Sequence, residues 1–239
     1  MNISKENILG EVVAHDFRTA TVFDQYNLDF CCKGSRSIEE ACLQAGINPA
    51  EVIQALEQIH HSEKTNIDFN SWPLDLLADY IEKKHHRYVS DQIPVLQGYL
   101  DKINTVHGQK HSELAEIKKL FSESAGELTV HMKKEELLLF PFIRKMVHAR
   151  QAGTTSPPAP FGSVQNPVLM MIHDHDMEGD RFRKIAQLSN NYTPPADGCT
   201  TYQATLALLK EFEQDLHVHI HLENNILFPK AIALEQTFS

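Results

Sequence analysis

From Trp72 onward, apolar residues recur every three or four positions over long stretches, and period-2 alternation is almost absent. That pattern predicts amphipathic helices and no strands. Long helices are expected near 73–106, 110–148, 165–190 and 199–234. Gln151–Pro160, with Gly, Thr, Ser and three Pro, separates the second from the third, and Tyr192–Gly198, with Pro194-Pro195, separates the third from the fourth. Four long helices joined in this way read as an antiparallel four-helix bundle. Pro94 should bend the first of them rather than end it, because the apolar pattern resumes at Val95 and Leu96.

The first 62 residues are patterned differently, in short segments: Leu9–Tyr26, Ser37–Ala45 and Asn48–His61. Ser35 or Ser37 and Asn48 suit helix N-caps, Pro49 suits a first helical position, and Gly46 can close the preceding helix. Asp29–Gly34 reads as a loop carrying the adjacent Cys31 and Cys32, and the polar stretch 63–71 reads as a linker. The expected architecture is all-α, with a small helical N-terminal domain (1–62) ahead of the bundle (72–239).

The bundle contains an internal repeat. His131, Glu135, Phe140 and Pro141 recur at the same spacing as His219, Glu223, Phe228 and Pro229. Residues four apart share a helix face. Leu128, His131, Glu135, Leu138 and Phe142 form one stripe, and Leu209, Phe212, Leu216, His219, Glu223 and Ile226 form another. Each His and Glu therefore points into an apolar interior, where a carboxylate without a counter-charge costs several kcal/mol. On the third helix, Val168, Ile172, Phe182 and Ile185 bring His175 to the inner face, while His173 falls on a more polar side. His217 and His221 fall with Lys210 and Glu213 on the expected solvent side. On the first helix, Leu74, Leu77 and Ile81 favour His85 as the inward residue, whereas Val89, Ile93, Leu96 and Leu100 favour His86; periodicity leaves both open.

One His from each of four helices plus two Glu is more than one tetrahedral zinc needs, and it suits two octahedral irons. The composition agrees: 14 His exceed both the 10 Gly and the 11 Pro. The formal charge of −10 argues against a nucleic-acid surface. No apolar run is long enough to span a bilayer, and the polar start MNISKENILG lacks a signal-peptide core. Four Cys without a disulfide framework point to the cytoplasm, with Cys42 and Cys199 expected as packing residues.

His131-x-x-x-Glu135, His175 within His-Asp-His-Asp, and His219-x-x-x-Glu223-Asn-Asn-Ile-Leu-Phe-Pro resemble the hemerythrin-like bundle, specifically the repair-of-iron-centres (RIC, YtfE/ScdA-type) di-iron proteins. Tyr26-Asn-Leu-Asp29-Phe-Cys31-Cys32-x-Gly34 resembles that family's N-terminal cysteine module, so the likeness covers essentially the whole chain. Counting from Pro73 and Pro94 to the family's first-helix histidine arrives at His86. The resemblance implies two non-haem irons, oxo- or hydroxo-bridged, with Glu135 and Glu223 bridging and His86, His131, His175 and His219 as terminal ligands. It also implies repair of iron–sulfur clusters damaged by nitrosative or oxidative stress, through iron supply. NO reduction to N2O is the enzymatic alternative, and reversible O2 binding or sensing a third reading. Damaged Fe–S proteins would be the clients and NO or O2 the small ligands; a homodimer is compatible with a small docking module. Cys31 and Cys32 would serve in redox or iron transfer. The family's usual Cys-Cys-Gly-Gly here reads Cys31-Cys32-Lys33-Gly34, and a Lys at that place can lower a thiol pKa or simply face solvent.

Overall fold

The computed structural model describes residues 3–60, 67–156 and 158–238, so His61 and part of the expected linker lie outside the described residues. The fold is all-α. Among the described residues the extended pairing is limited to one isolated antiparallel bridge, Ile8 with Ser37. The chain divides into two compact units, Ala78–Leu216 and Met1–Leu77 with His217–Ser239.

The N-terminal part of the smaller unit holds α1 (Leu9–His15), α2 (Ala20–Gln25), α3 (Ile38–Ala45) and α4 (Pro49–His60). The single helix expected over Leu9–Tyr26 is instead broken at Asp16. Its buried carboxylate accepts the Arg18 backbone N–H and pairs with the Arg18 guanidinium, which holds Asp16 extended and starts a 3₁₀ turn at Phe17. Ser37, not Ser35, caps α3: its Oγ accepts from the Glu40 N–H while the Glu40 carboxylate accepts from the Ser37 N–H. Gly46, at φ 69°, ends that helix in the left-handed region. Leu9, Val12, Phe23, Phe30, Ile38, Cys42, Val52 and Leu56 are buried and form the small core.

The larger unit is the antiparallel bundle. Its first helix is the end of α5 (Leu74–Tyr80), a π-helical turn (Ile81–His86) and α6 (Arg87–His107), which runs through Pro94 without ending. The second is α7 (Glu113–Lys134), a π-helical turn (Glu135–Leu139) and α8 (Phe140–Ala152). The third is α9 (Gln165–Leu188), and the fourth is α10 (Thr200–Leu222), which belongs to this unit as far as Leu216. α7 packs against both α6 and α9. The interior is aromatic: Phe182 stacks on Phe212 at 5.7 Å, and Phe121 meets the same ring edge-on at 5.4 Å.

Beyond α10, a third π-helical turn (Glu223–Leu227) leads into α11 (Phe228–Gln236). The two repeat copies thus share a backbone feature as well as side chains. The Phe140 N–H bonds back five residues to the Glu135 carbonyl, and the Phe228 N–H to the Glu223 carbonyl. The next residues, Pro141 and Pro229, have no N–H to give, and a proline ring crowds the carbonyl four residues back. A turn widened by one residue relieves that crowding. It also changes the register: Leu138, expected on the inner stripe, is exposed, and Leu139 is buried in its place.

Candidate metal centre

Within the bundle unit, the wide turns bring donor atoms together. Glu135 is fully buried, with one carboxylate oxygen 3.4 Å from His86 Nε2 and 3.5 Å from His131 Nε2. The His175 Nε2 lies 3.0 Å from the His131 Nε2. Neither oxygen of Glu135 accepts a hydrogen bond from the described residues. A carboxylate so placed calls for a cation, and the three imidazole nitrogens beside it supply neutral donors of the right kind. The donor set fits a metal.

Carboxylates behind the histidines fix their orientation. The Nδ1 of His86 meets Glu136 at 3.1 Å, and the Nδ1 of His131 meets Asp174 at 3.1 Å. A ring that gives its Nδ1 proton to a carboxylate leaves the Nε2 lone pair for a metal. Burial works to raise the pKa of Glu136, but the Lys133 ammonium and His86 together hold it below the usual carboxylate range. The hydrogen bond from His131, joined by Lys134, lowers Asp174 against the opposing effect of burial. His85, left open beside His86 by periodicity, is also buried but meets Asp215 at 3.0 Å and sits edge-on to Tyr80. His86 stacks on Phe140 and faces Glu135.

A cleft of about 240 Å³ reaches this group from the side of α7 and α9, with His131, His175, Glu178 and Arg181 in its wall. Glu178 is a buried acid that no periodicity singled out. Its oxygens accept from Ser124 at 2.5 Å and from Arg181, and burial raises its pKa despite both partners. Its place three residues after His175 is the signal that could have found it.

In the smaller unit, His219 and Glu223 are both buried, with Nε2 and Oε1 3.0 Å apart. His221, expected on the solvent side, is instead fully buried against Phe30 and Phe17, and burial lowers its pKa to about 3. The face that a bundle wheel assigns to water is occupied here by the N-terminal segment of the same unit. His217 is partly buried and lies 3.5 Å from Asp24.

Cys31 is buried and Cys32 half-buried, with their sulfurs 3.7 Å apart. One Asp29 oxygen accepts the backbone N–H groups of Cys31, Cys32 and Lys33 and lies 3.3 Å from the Cys31 sulfur. Contact with the Cys32 sulfur, burial and the Asp29 charge push the Cys31 thiol well up. Lys33 is exposed and does not bring Cys31 down. Cys42 is buried as expected, but Cys199 is exposed rather than packed. Backbone N–H groups at the start of α10, led by that of Tyr202, and His107 at 3.2 Å lower the Cys199 thiol to about 7.

Comparison with known proteins gives two domain matches. Residues 5–60 match ScdA_N, a domain of unknown function (DUF542), and residues 78–231 match the hemerythrin HHE cation binding domain. The iron-sulfur cluster repair protein YtfE of Musicola paradisiaca (strain Ech703) is 32% identical over 228 residues, covering 95% of this chain and 97% of the relative. A probable iron-sulfur cluster repair protein of Haemophilus influenzae is 33% identical over 217 residues, 88% of this chain and 90% of the relative. The YtfE of Shigella boydii serotype 4 is 32% identical over 231 residues, 97% of this chain and 99% of the relative. No helix among the described residues is long and apolar enough to cross a membrane.

Proposed function

Because the chain belongs to the hemerythrin HHE cation-binding family and, over nearly its whole length, to the YtfE family of iron-sulfur cluster repair proteins, we propose that it restores damaged iron–sulfur clusters by supplying iron. The observation that carries this reading is Glu135: a buried carboxylate with no hydrogen-bond donor among the described residues, beside the Nε2 atoms of His86 and His131. In our reading His86, His131, His175, His219, Glu135 and Glu223 would together hold two irons. Both repeat copies fall inside the matched domain, which supports a shared centre. The bound iron supplies a redox-active cation that can leave in the ferrous form.

The chain's own residues do the rest. Glu136 and Asp174 hold two histidine rings by their Nδ1 protons, keeping Nε2 toward the metal. The N-terminal module, 1–62, carries Cys31 and Cys32 for iron or electron transfer, and the 72–239 module stores the iron. The clients are damaged iron–sulfur proteins of the cytoplasm. A second reading, reduction of NO to N2O, is favoured by the cleft beside His131 and His175, which admits a diatomic molecule.

Anaerobic transfer separates the readings. Iron-loaded protein is mixed with an NO-damaged iron–sulfur enzyme, with a Glu135→Ala/Glu223→Ala variant as control. Recovery of the client's activity by wild type alone is expected; equal recovery in both sinks the repair reading. N2O release without recovery favours the second.

A further inference from the structure

In its present position the Cys31 thiol is shut in: it is buried, and its loop is held closed. The clamps come from the two residues just after Glu223. Asn224 Nδ2 donates to the Cys31 carbonyl at 3.3 Å, and Asn225 Nδ2 donates to the Phe30 carbonyl at 3.2 Å. Asn225 is itself tightly seated. A Cβ on Gly10 would lie 2.4 Å from its Oδ1, and one on Gly34 would lie 3.2 Å from the same atom and 2.2 Å from the Phe30 carbonyl oxygen. Gly10 N–H also donates to the Gly34 carbonyl at 2.9 Å, so the slot closes on itself. Asn225 Nδ2 further donates to Nδ1 of the buried His221.

We propose that Asn224 and Asn225 are positioning residues that latch the cysteine loop, and that metal at Glu223 controls the latch. The metal half rests on the di-iron reading above; the latch half does not. The argument is one of adjacency in a short, stiff element. Glu223, Asn224 and Asn225 are the first three residues of a single π-helical turn. A cation drawing on the Glu223 carboxylate fixes the backbone of that turn and therefore the direction of both amide donors. Loss of the cation frees the turn, loosens both hydrogen bonds and lets the loop expose its thiols. Iron leaving the centre would then meet opened cysteines rather than a closed loop.

The test reads thiol accessibility in the full chain rather than repair activity. Metal-free and ferrous-loaded proteins, with iron measured directly, are alkylated with iodoacetamide at pH 8, and each cysteine is followed by peptide mass spectrometry. Buried Cys42 and exposed Cys199 serve as internal references. In wild type, iron is expected to slow Cys31 alkylation about tenfold, the factor set by one hydrogen bond of ordinary net strength. In Asn224→Ala/Asn225→Ala, which lacks both latch hydrogen bonds outright, Cys31 should react faster than in metal-free wild type, and at one rate with or without iron. Gly10→Ala, which displaces the Asn225 side chain, should do the same while both asparagines remain. Slow Cys42 labelling in every variant shows that the unit is folded. If metal-free wild type and the double variant label Cys31 equally, the latch is overturned. If the two variants keep the wild-type iron effect, the coupling is overturned. Absence of iron in loaded wild type defeats the di-iron reading and the coupling together, while the metal-free comparison still decides the latch.

Discussion

The two copies of the repeat share a helix, a wide turn, and a His, a Glu, a Phe and a Pro at matching places. They differ in the residues next to the glutamate. In the first copy Glu136 takes the Nδ1 side of His86 and the Lys133 ammonium, so the turn serves the donor set. In the second copy Asn224 and Asn225 spend their amides on backbone carbonyls of the cysteine loop, so the turn serves a neighbouring segment. A π-turn adds one residue to the helical circuit and so gives the positions after the glutamate a new direction. The same scaffold feature orients a histidine in one place and holds a loop in the other.

The largest expected effect breaks what the copies have in common. Glu135→Ala should abolish the rise in Tm that ferrous iron gives wild type, a stabilisation of about 2.7 kcal/mol at a hundredfold excess over Kd. In metal-free protein the same change should cost little, since Glu135 accepts no hydrogen bond from the described residues. An unchanged iron-dependent shift in the variant would remove Glu135 from the centre.

Register comes next. Leu139→Ala should cost about 2–5 kcal/mol in urea unfolding and Leu138→Ala no more than about 0.5, because only Leu139 is buried. In the second copy Ile226 and Leu227 are both buried, so each alanine substitution there should carry the larger cost. Equal costs at 138 and 139 would refute the wide turn in the first copy.

The difference between the copies is sharpened by Glu136→Ala, expected to weaken iron binding about 10- to 100-fold in a chelator competition. Asn224→Ala should leave that affinity within about threefold of wild type, a change of less than 1 kcal/mol. If both act alike, the two turns are not specialised.

The smallest effect leaves stability alone and reads the thiols. Cys199, lowered to about 7, should gain alkylation rate as pH rises through 7 and level off above it, because the thiolate is the nucleophile. Falling pH protonates it and slows the reaction. Cys31, pushed well up behind its loop, should stay slow across the same range. A common pH profile for the two would mean that the loop held by the second copy does not shield Cys31.

Much of this was legible from spacing alone. Four long helices and the inward direction of His131, Glu135, His175, His219 and Glu223 come from a period of 3.6, and all five side chains are buried. The features that escaped did so for physical reasons. A helical wheel assumes a constant turn per residue, so it cannot place Leu138 and Leu139 across a π-turn, nor choose between His85 and His86, which lie in another. It also treats the outer face of a helix as wet, which fails for His221 beside Phe17 and Phe30. Cys199 was missed because its setting depends on the chain fold that brings His107 within 3.2 Å, ninety-two positions earlier in sequence.

The slot around Asn225 sets the spelling rules of the cysteine loop. Position 34 has no room for a methyl group beside the Phe30 carbonyl, so glycine there is a steric requirement. Position 33 points its side chain into open water, so glycine there is optional and lysine is tolerated. Natural variation in this loop should therefore collect at 33 and spare 34, and a library randomised at both sites should return folded protein with many residues at the first and one at the second.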